Sequence, residues 1–125
     1  MMAKRKIFIV DDDKMMCEMI RQRFEDDRNN EIMIFHKGED CLKNLHLEPN
    51  IVILDYILNS QNVDVQNGIH ILKKIKSTSP NTQVIMLSSQ EHYGKAAMTI
   101  SKGAIEYLVK DDHAFERLDK IISDL

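Results

Sequence analysis

The stretch IVILDYIL, Ile51 to Leu58, places four consecutive aliphatic residues directly before an acid, Asp55. An unbroken apolar run of that length suits a strand covered on both faces, since a strand with one wet face alternates. An ionised carboxylate at its end is costly to bury unless a cation or hydrogen-bond donors compensate it. The stretch therefore bears on fold and chemistry together.

Outward from it, similar short runs occur at Ile7–Val10, Ile32–Phe35, Val84–Leu87 and Tyr107–Val109. The segments between them have a helical period. Met16, Ile20 and Phe24, with Met19 beside them, mark one helix face, and Leu42 and Leu45 a short second helix after Gly38. Ile71, Leu72 and Ile75 give a third helix, stopped by Ser79–Asn81. Ala96, Ala97 and Ile100 mark a fourth, closed by Gly103. Phe115, Leu118, Ile122 and Leu125 make the fifth. Five repeats of strand then helix imply an α/β domain with a parallel sheet between helical layers. In such sheets ligands bind beyond the carboxyl ends of the strands.

Composition narrows the function classes. The chain has 125 residues, 43% hydrophobic and 30% charged, which is enough for one domain with a real core. A net charge of −3 and no basic stripe argue against direct nucleic-acid binding. The opening MMAKRKIFIV has only four apolar residues before its acids, too few for a signal peptide, and no run is long enough for a bilayer. Cys17 and Cys41 lack CxxC spacing and read as reduced, small apolar residues. A cytoplasmic location is expected.

The strand ends carry the polar residues. Asp11, Asp12 and Asp13 follow the first run, Asp55 the third, Ser88 and Ser89 the fourth, and Lys110 the fifth. Singly, such residues cap helices or face water. Together, on one edge of a parallel sheet, they form an oxygen-rich cluster suited to Mg2+. A carboxylate beside Mg2+ can also act as a nucleophile toward phosphorus. Ser88 and Lys110 would then meet the phosphoryl oxygens.

The set IFIVDDD, IVILDYIL, VIMLSS and EYLVKDD, in that order, resembles the receiver domain of two-component response regulators across essentially residues 1–125. The resemblance implies a flavodoxin-like (βα)5 fold with strand order 2-1-3-4-5. It implies Asp55 as acceptor of a phosphoryl group from a histidine kinase's phosphohistidine, or from a histidine phosphotransfer protein. Asp12 would touch Mg2+ directly and Asp11 through water, with the Ile57 backbone carbonyl as a further ligand. Ser88 takes the switch hydroxyl position, Lys110 that of the lysine, and Tyr107 that of the aromatic that changes rotamer. A downstream effector, and a homodimer through helix four, strand five and helix five, are the implied partners; no effector domain is expected within the chain. The chain should catalyse only its own phosphoryl transfer and slow dephosphorylation.

Several residues depart from the family pattern. Asn59 stands where a Pro is usual, and the matching Gly is Gly68, so an insertion of about five residues lies within Asn59–Asn67. Ile57 replaces an often polar residue, leaving Gln90 as the candidate to hold a hydrolytic water. Asp111 replaces the Pro after Lys110, so a trans peptide is expected there, with Asp111 or Asp112 capping helix five. Asp13 is read as the N-cap of helix one. Met15 and Met19 are expected on its surface, where kinases dock in related receivers. Lys73, Lys74 and Lys76 read as a solvated face, and the five histidines carry no assigned chemistry. A phosphatase of the haloacid-dehalogenase type would need Thr where Met15 stands. Nucleotide hydrolysis would need a GxxxxGK loop, which is missing.

Overall fold

The computed structural model describes residues 4–56, 68–89 and 93–125. Ile57, the insertion Asn59–Asn67 and Gln90 lie outside the described residues. Five strands, β1 (Arg5–Val10), β2 (Asn30–Phe35), β3 (Ile51–Asp55), β4 (Gln83–Ser88) and β5 (Glu106–Val109), alternate with five helices. These are α1 (Lys14–Phe24), α2 (Gly38–Lys43), α3 (Gly68–Thr78), α4 (Tyr93–Ser101) and α5 (Ala114–Ser123). The strands form one sheet, all pairs parallel, in the order β2-β1-β3-β4-β5. Among the described residues no helix is long and apolar enough to cross a membrane.

The apolar runs are unbroken because each strand serves two cores. Ile7, Ile9, Ile51, Ile53, Ile85 and Leu87 pack with Cys17, Ile20 and Phe24 of α1 and with Leu118 and Ile122 of α5. Their neighbours Phe8, Val10, Val52, Leu54, Val84 and Met86 pack on the other face with Cys41 of α2 and Ile71, Leu72 and Ile75 of α3. Each fully buried side chain of this size contributes about 1.5–3 kcal/mol relative to exposure. Both cysteines are free and buried, as expected.

Several local expectations need correction. Leu45 belongs to a separate 3-10 turn, Leu45–Leu47, that follows α2, and α2 begins at Gly38 rather than after it. Among the described side chains of α4, Thr99 is buried, while Ala97 and Ile100 are exposed. Thr99 fits that position because its hydroxyl donates to the Ala96 carbonyl. Leu125 lies beyond the end of α5 and is exposed. Lys76 is more than a solvated lysine. Its ammonium donates to the Pro80 and Thr82 carbonyls at 2.8 and 2.9 Å and closes the turn into β4.

Candidate functional site

β1 and β3 are adjacent and in register, so their carboxyl ends bring Asp11, Asp12 and Asp55 together. One carboxylate oxygen from each of the three lies within 4.8 Å of the others. Asp11 and Asp55 are buried and Asp12 is half-buried. Asp13 turns away from the group. Its carboxylate accepts from the Met15 and Met16 amides and caps α1, as the sequence suggests. Asp13 is thus engaged elsewhere, which removes the second acid that a DxDxT phosphatase motif would need.

Lys110 reaches the cluster from β5. In the sheet order two strands, β3 and β4, lie between β1 and β5, so Lys110 needs its long side chain to meet acids on the strands beyond. Its ammonium lies 2.9 Å from Asp11 Oδ2 and 3.2 Å from Asp55 Oδ1. Burial opposes its charge, but the hydrogen bond to Asp11 and the charge of Asp55 outweigh burial and raise its pKa. The Lys110–Asp111 peptide is trans, as expected. The chain is turned instead by the Asp111 amide, which donates to the Val109 carbonyl two residues back, while the Lys110 amide donates to Ser88. The capping expectation for α5 is not met. His113 occupies the N-cap position without a side-chain cap, and the Asp111 carboxylate accepts instead from the His113 amide, just outside the helix, and from the Arg117 guanidinium at 3.3 Å.

Three carboxylates against one ammonium leave a formal charge of −2 in a largely buried pocket. The consequence appears at Asp55, whose pKa is pushed up to about 7, first by burial and next by the charge of Asp11. Lys110 offsets these influences only in part. Oxygen-only donors with a deficit of two positive charges fit a hard divalent cation. Mg2+ takes such oxygen ligands and keeps several of its waters, so acids gathered in this way could hold it directly or through water.

Ser88 ends β4, one residue past Leu87, the partner of Asp55, and is buried. Ser89 is exposed. On the other side Gly68 opens α3 against the backbone of Asp55. A Cβ there would lie 2.5 Å from the Asp55 carbonyl oxygen, so no other residue allows so close an approach. The Gly68 amide donates to Tyr56 at 2.7 Å. The ring of Tyr56 meets Tyr107 edge-on at 6.2 Å and carries the Lys95 ammonium over it at 5.0 Å. Met15 and Met19 are 72% and 42% exposed on α1, close in sequence to the acids.

One residue without a sequence signal also belongs here. His36, just after β2, has Nδ1 3.0 Å from the Asp11 carbonyl oxygen. Nothing in its spacing could have marked it, because the contact joins residues 25 apart.

The family model described as "Response regulator receiver domain" matches residues 7–123. The chain is 32% identical to a protein-glutamate methylesterase/protein-glutamine glutaminase of Clostridium acetobutylicum, over 99% of this chain and 35% of that protein. It thus spans about a third of that relative. It is 29% identical to the chemotaxis protein CheY of Listeria monocytogenes, over 92% of this chain and 96% of that one. The crystal structure of a CheY-like response regulator receiver domain protein from Methanospirillum hungatei superposes with a TM-score of 0.84 at 23% identity. It covers 98% of this chain and 94% of that one.

Proposed function

The chain belongs to the response regulator receiver domain family of two-component signalling, and from that premise we propose that it is a switch set by phosphorylation of Asp55. Residues 1–125 are taken as one receiver domain acting on no external substrate. The observation that carries the reading is the Lys110 ammonium held between Asp11 and Asp55, beside a third carboxylate, at the carboxyl edge of the sheet.

In the proposed reaction a carboxylate oxygen of Asp55 attacks the phosphorus of a phosphohistidine. The new P–O bond forms as the P–N bond breaks, and the imidazole nitrogen leaves with the electron pair and is then protonated. Ionised Asp55 is the nucleophile, so a cationic surrounding that favours its charged form also favours reaction. Lys110 supplies one fixed positive charge and can follow the transferred oxygens. Asp12, Asp55 and, through water, Asp11 would hold Mg2+, together with the carbonyl of Ile57. Bound there, Mg2+ would supply charge neutralisation for the phosphoryl oxygens. Ser88 would receive the phosphoryl group by hydrogen bond, and Tyr107 would turn inward, altering the face of α4, β5 and α5. A sensor histidine kinase or histidine phosphotransfer protein is the proposed donor, docking near Met15 and Met19. The altered face is the proposed site for an effector or a second copy, and the cytoplasm the proposed compartment.

The test is direct. Incubated with Mg2+ and acetyl phosphate, the protein should gain the mass of one phosphoryl group, and Asp55→Asn should gain none while remaining folded. Labelling of the Asn variant at the same position would overturn the assignment.

A further inference from the structure

We propose that His36, with Cys17 beside it, is a positioning residue that fixes the Asp11–Asp12 peptide and so aims the metal-binding acids. The proposal rests on the reading of Asp11 and Asp12 given above and extends it to residues that touch neither metal nor phosphoryl group.

β1 ends at Val10, so beyond it the chain is held by individual hydrogen bonds rather than by a complete ladder. Asp11 has a set of them. Its amide donates to the Phe35 carbonyl at 3.1 Å, Oδ1 accepts from the Asp13 amide at 2.9 Å, and Oδ2 accepts from Lys110. Its carbonyl oxygen accepts two further donors, the His36 ring nitrogen at 3.0 Å and the Cys17 thiol at 3.2 Å. The two donors lie 3.9 Å apart. They come from separate elements, His36 from the exit of β2 and Cys17 from the first turn of α1, and they converge on one oxygen.

That oxygen belongs to the peptide joining the two acids. Rotating this unit would swing Asp12 relative to Asp11, whose side chain is tied at both oxygens. Holding it leaves Asp12 one approach to the cation. A carbonyl oxygen can only accept, so His36 must carry its proton on Nδ1. Hydrogen bonds one step removed from a metal's ligands orient those ligands, and losing them weakens metal binding.

The test compares His36→Leu and His36→Asn in the full chain. His36 is exposed, so both variants should fold. Titration calorimetry with Mg2+ alone should show His36→Leu binding about three- to tenfold more weakly. His36→Asn, which keeps an N–H donor at similar reach, should recover wild-type affinity. With acetyl phosphate, the half-saturating Mg2+ of the Leu variant should rise while its rate at saturating Mg2+ stays within about twofold, since only ground-state metal binding is lost. Nitrogen NMR of neutral His36 should show the Nδ1–H form without any metal. Equal Mg2+ affinity in the Leu variant, failure of Asn to rescue, or an Nε2–H tautomer would each overturn the role of His36 while leaving the receiver reading intact. Wild-type protein that binds no Mg2+ would remove both.

Discussion

Asp55 carries a charge that its own surroundings disfavour. A carboxyl whose pKa stands near 7 in the folded protein, against about 3.9 in an unfolded chain, favours folding in its protonated form. The contribution is full below about pH 4 and is lost as the pH rises through about 7. Asp55→Asn should therefore stabilise the metal-free protein at pH 8, by about 1–3 kcal/mol, and make little difference at pH 4. Denaturant melts at the two pH values measure this, and a variant no more stable at pH 8 than at pH 4, relative to wild type, contradicts it. Under the proposed phosphorylation cycle, Ile57 is expected to govern loss of the phosphoryl group. An aliphatic side chain offers no hydrogen bond to a water in line with phosphorus, so a long-lived phosphoryl group is expected. Ile57→Asn should speed dephosphorylation by about tenfold, a typical contribution of one positioned polar group being about 1.4 kcal/mol. Loss of the phosphoryl mass over time reads this out, and an unchanged half-life would remove Ile57 from the account.

At the scale of elements, the start of α3 sets the geometry around Asp55. Gly68 lets the helix approach the Asp55 and Tyr56 backbone more closely than any Cβ would permit. Gly68→Ala should push α3 back from the strand end and cost about 1–3 kcal/mol by overpacking, although alanine is the better helix former. Thermal melts should show the loss, together with a slower reaction with acetyl phosphate. A more stable variant would mean that α3 can shift freely. The cap of α1 shows the opposite case, where a local signal was sufficient. Asp13 precedes the helical period directly, and its carboxylate accepts the first free amides as such residues do. At the entry to α5 the local signal does not decide the cap. Asp111 and Asp112 look like caps, but the turn that carries Lys110 into the site places His113 at the helix start.

For the whole molecule, the acids and Lys110 tie the exits of β1, β3 and β5 into one cluster. A cation bound there acts on the folded state alone, because the unfolded chain does not gather these residues. Mg2+ should therefore raise the global stability by about 2.7 kcal/mol at a hundredfold excess over its Kd. Asp12→Ala should lose most of that increment while melting normally without metal. The shift in Tm with added Mg2+, against the same ionic strength of Na+, measures it. An undiminished shift in the variant would place the cation elsewhere.

The alternation of apolar runs with helical periods, and the acids that end the runs, are properties of neighbouring residues, so the sequence alone determined the fold class and the edge of the sheet where the acids gather. The resemblance then supplied the strand order and the expected roles of Asp55, Asp12 and Lys110, and the fold places these residues in one cluster. Other features depend on approach in space. Ile100 and Leu125 have the hydropathy of core residues yet are exposed, and Leu45 is buried but in a separate 3-10 turn, because where each helix ends and which face its neighbours cover decides these things. Lys76 has the look of a surface lysine until the turn into β4 folds back onto it. His36 meets Asp11 only because β2 lies beside β1 in register, bringing the two strand exits together. Periodicity records which side of an element is buried, but a single hydrogen bond between distant residues has no period, and only the tertiary structure decides it.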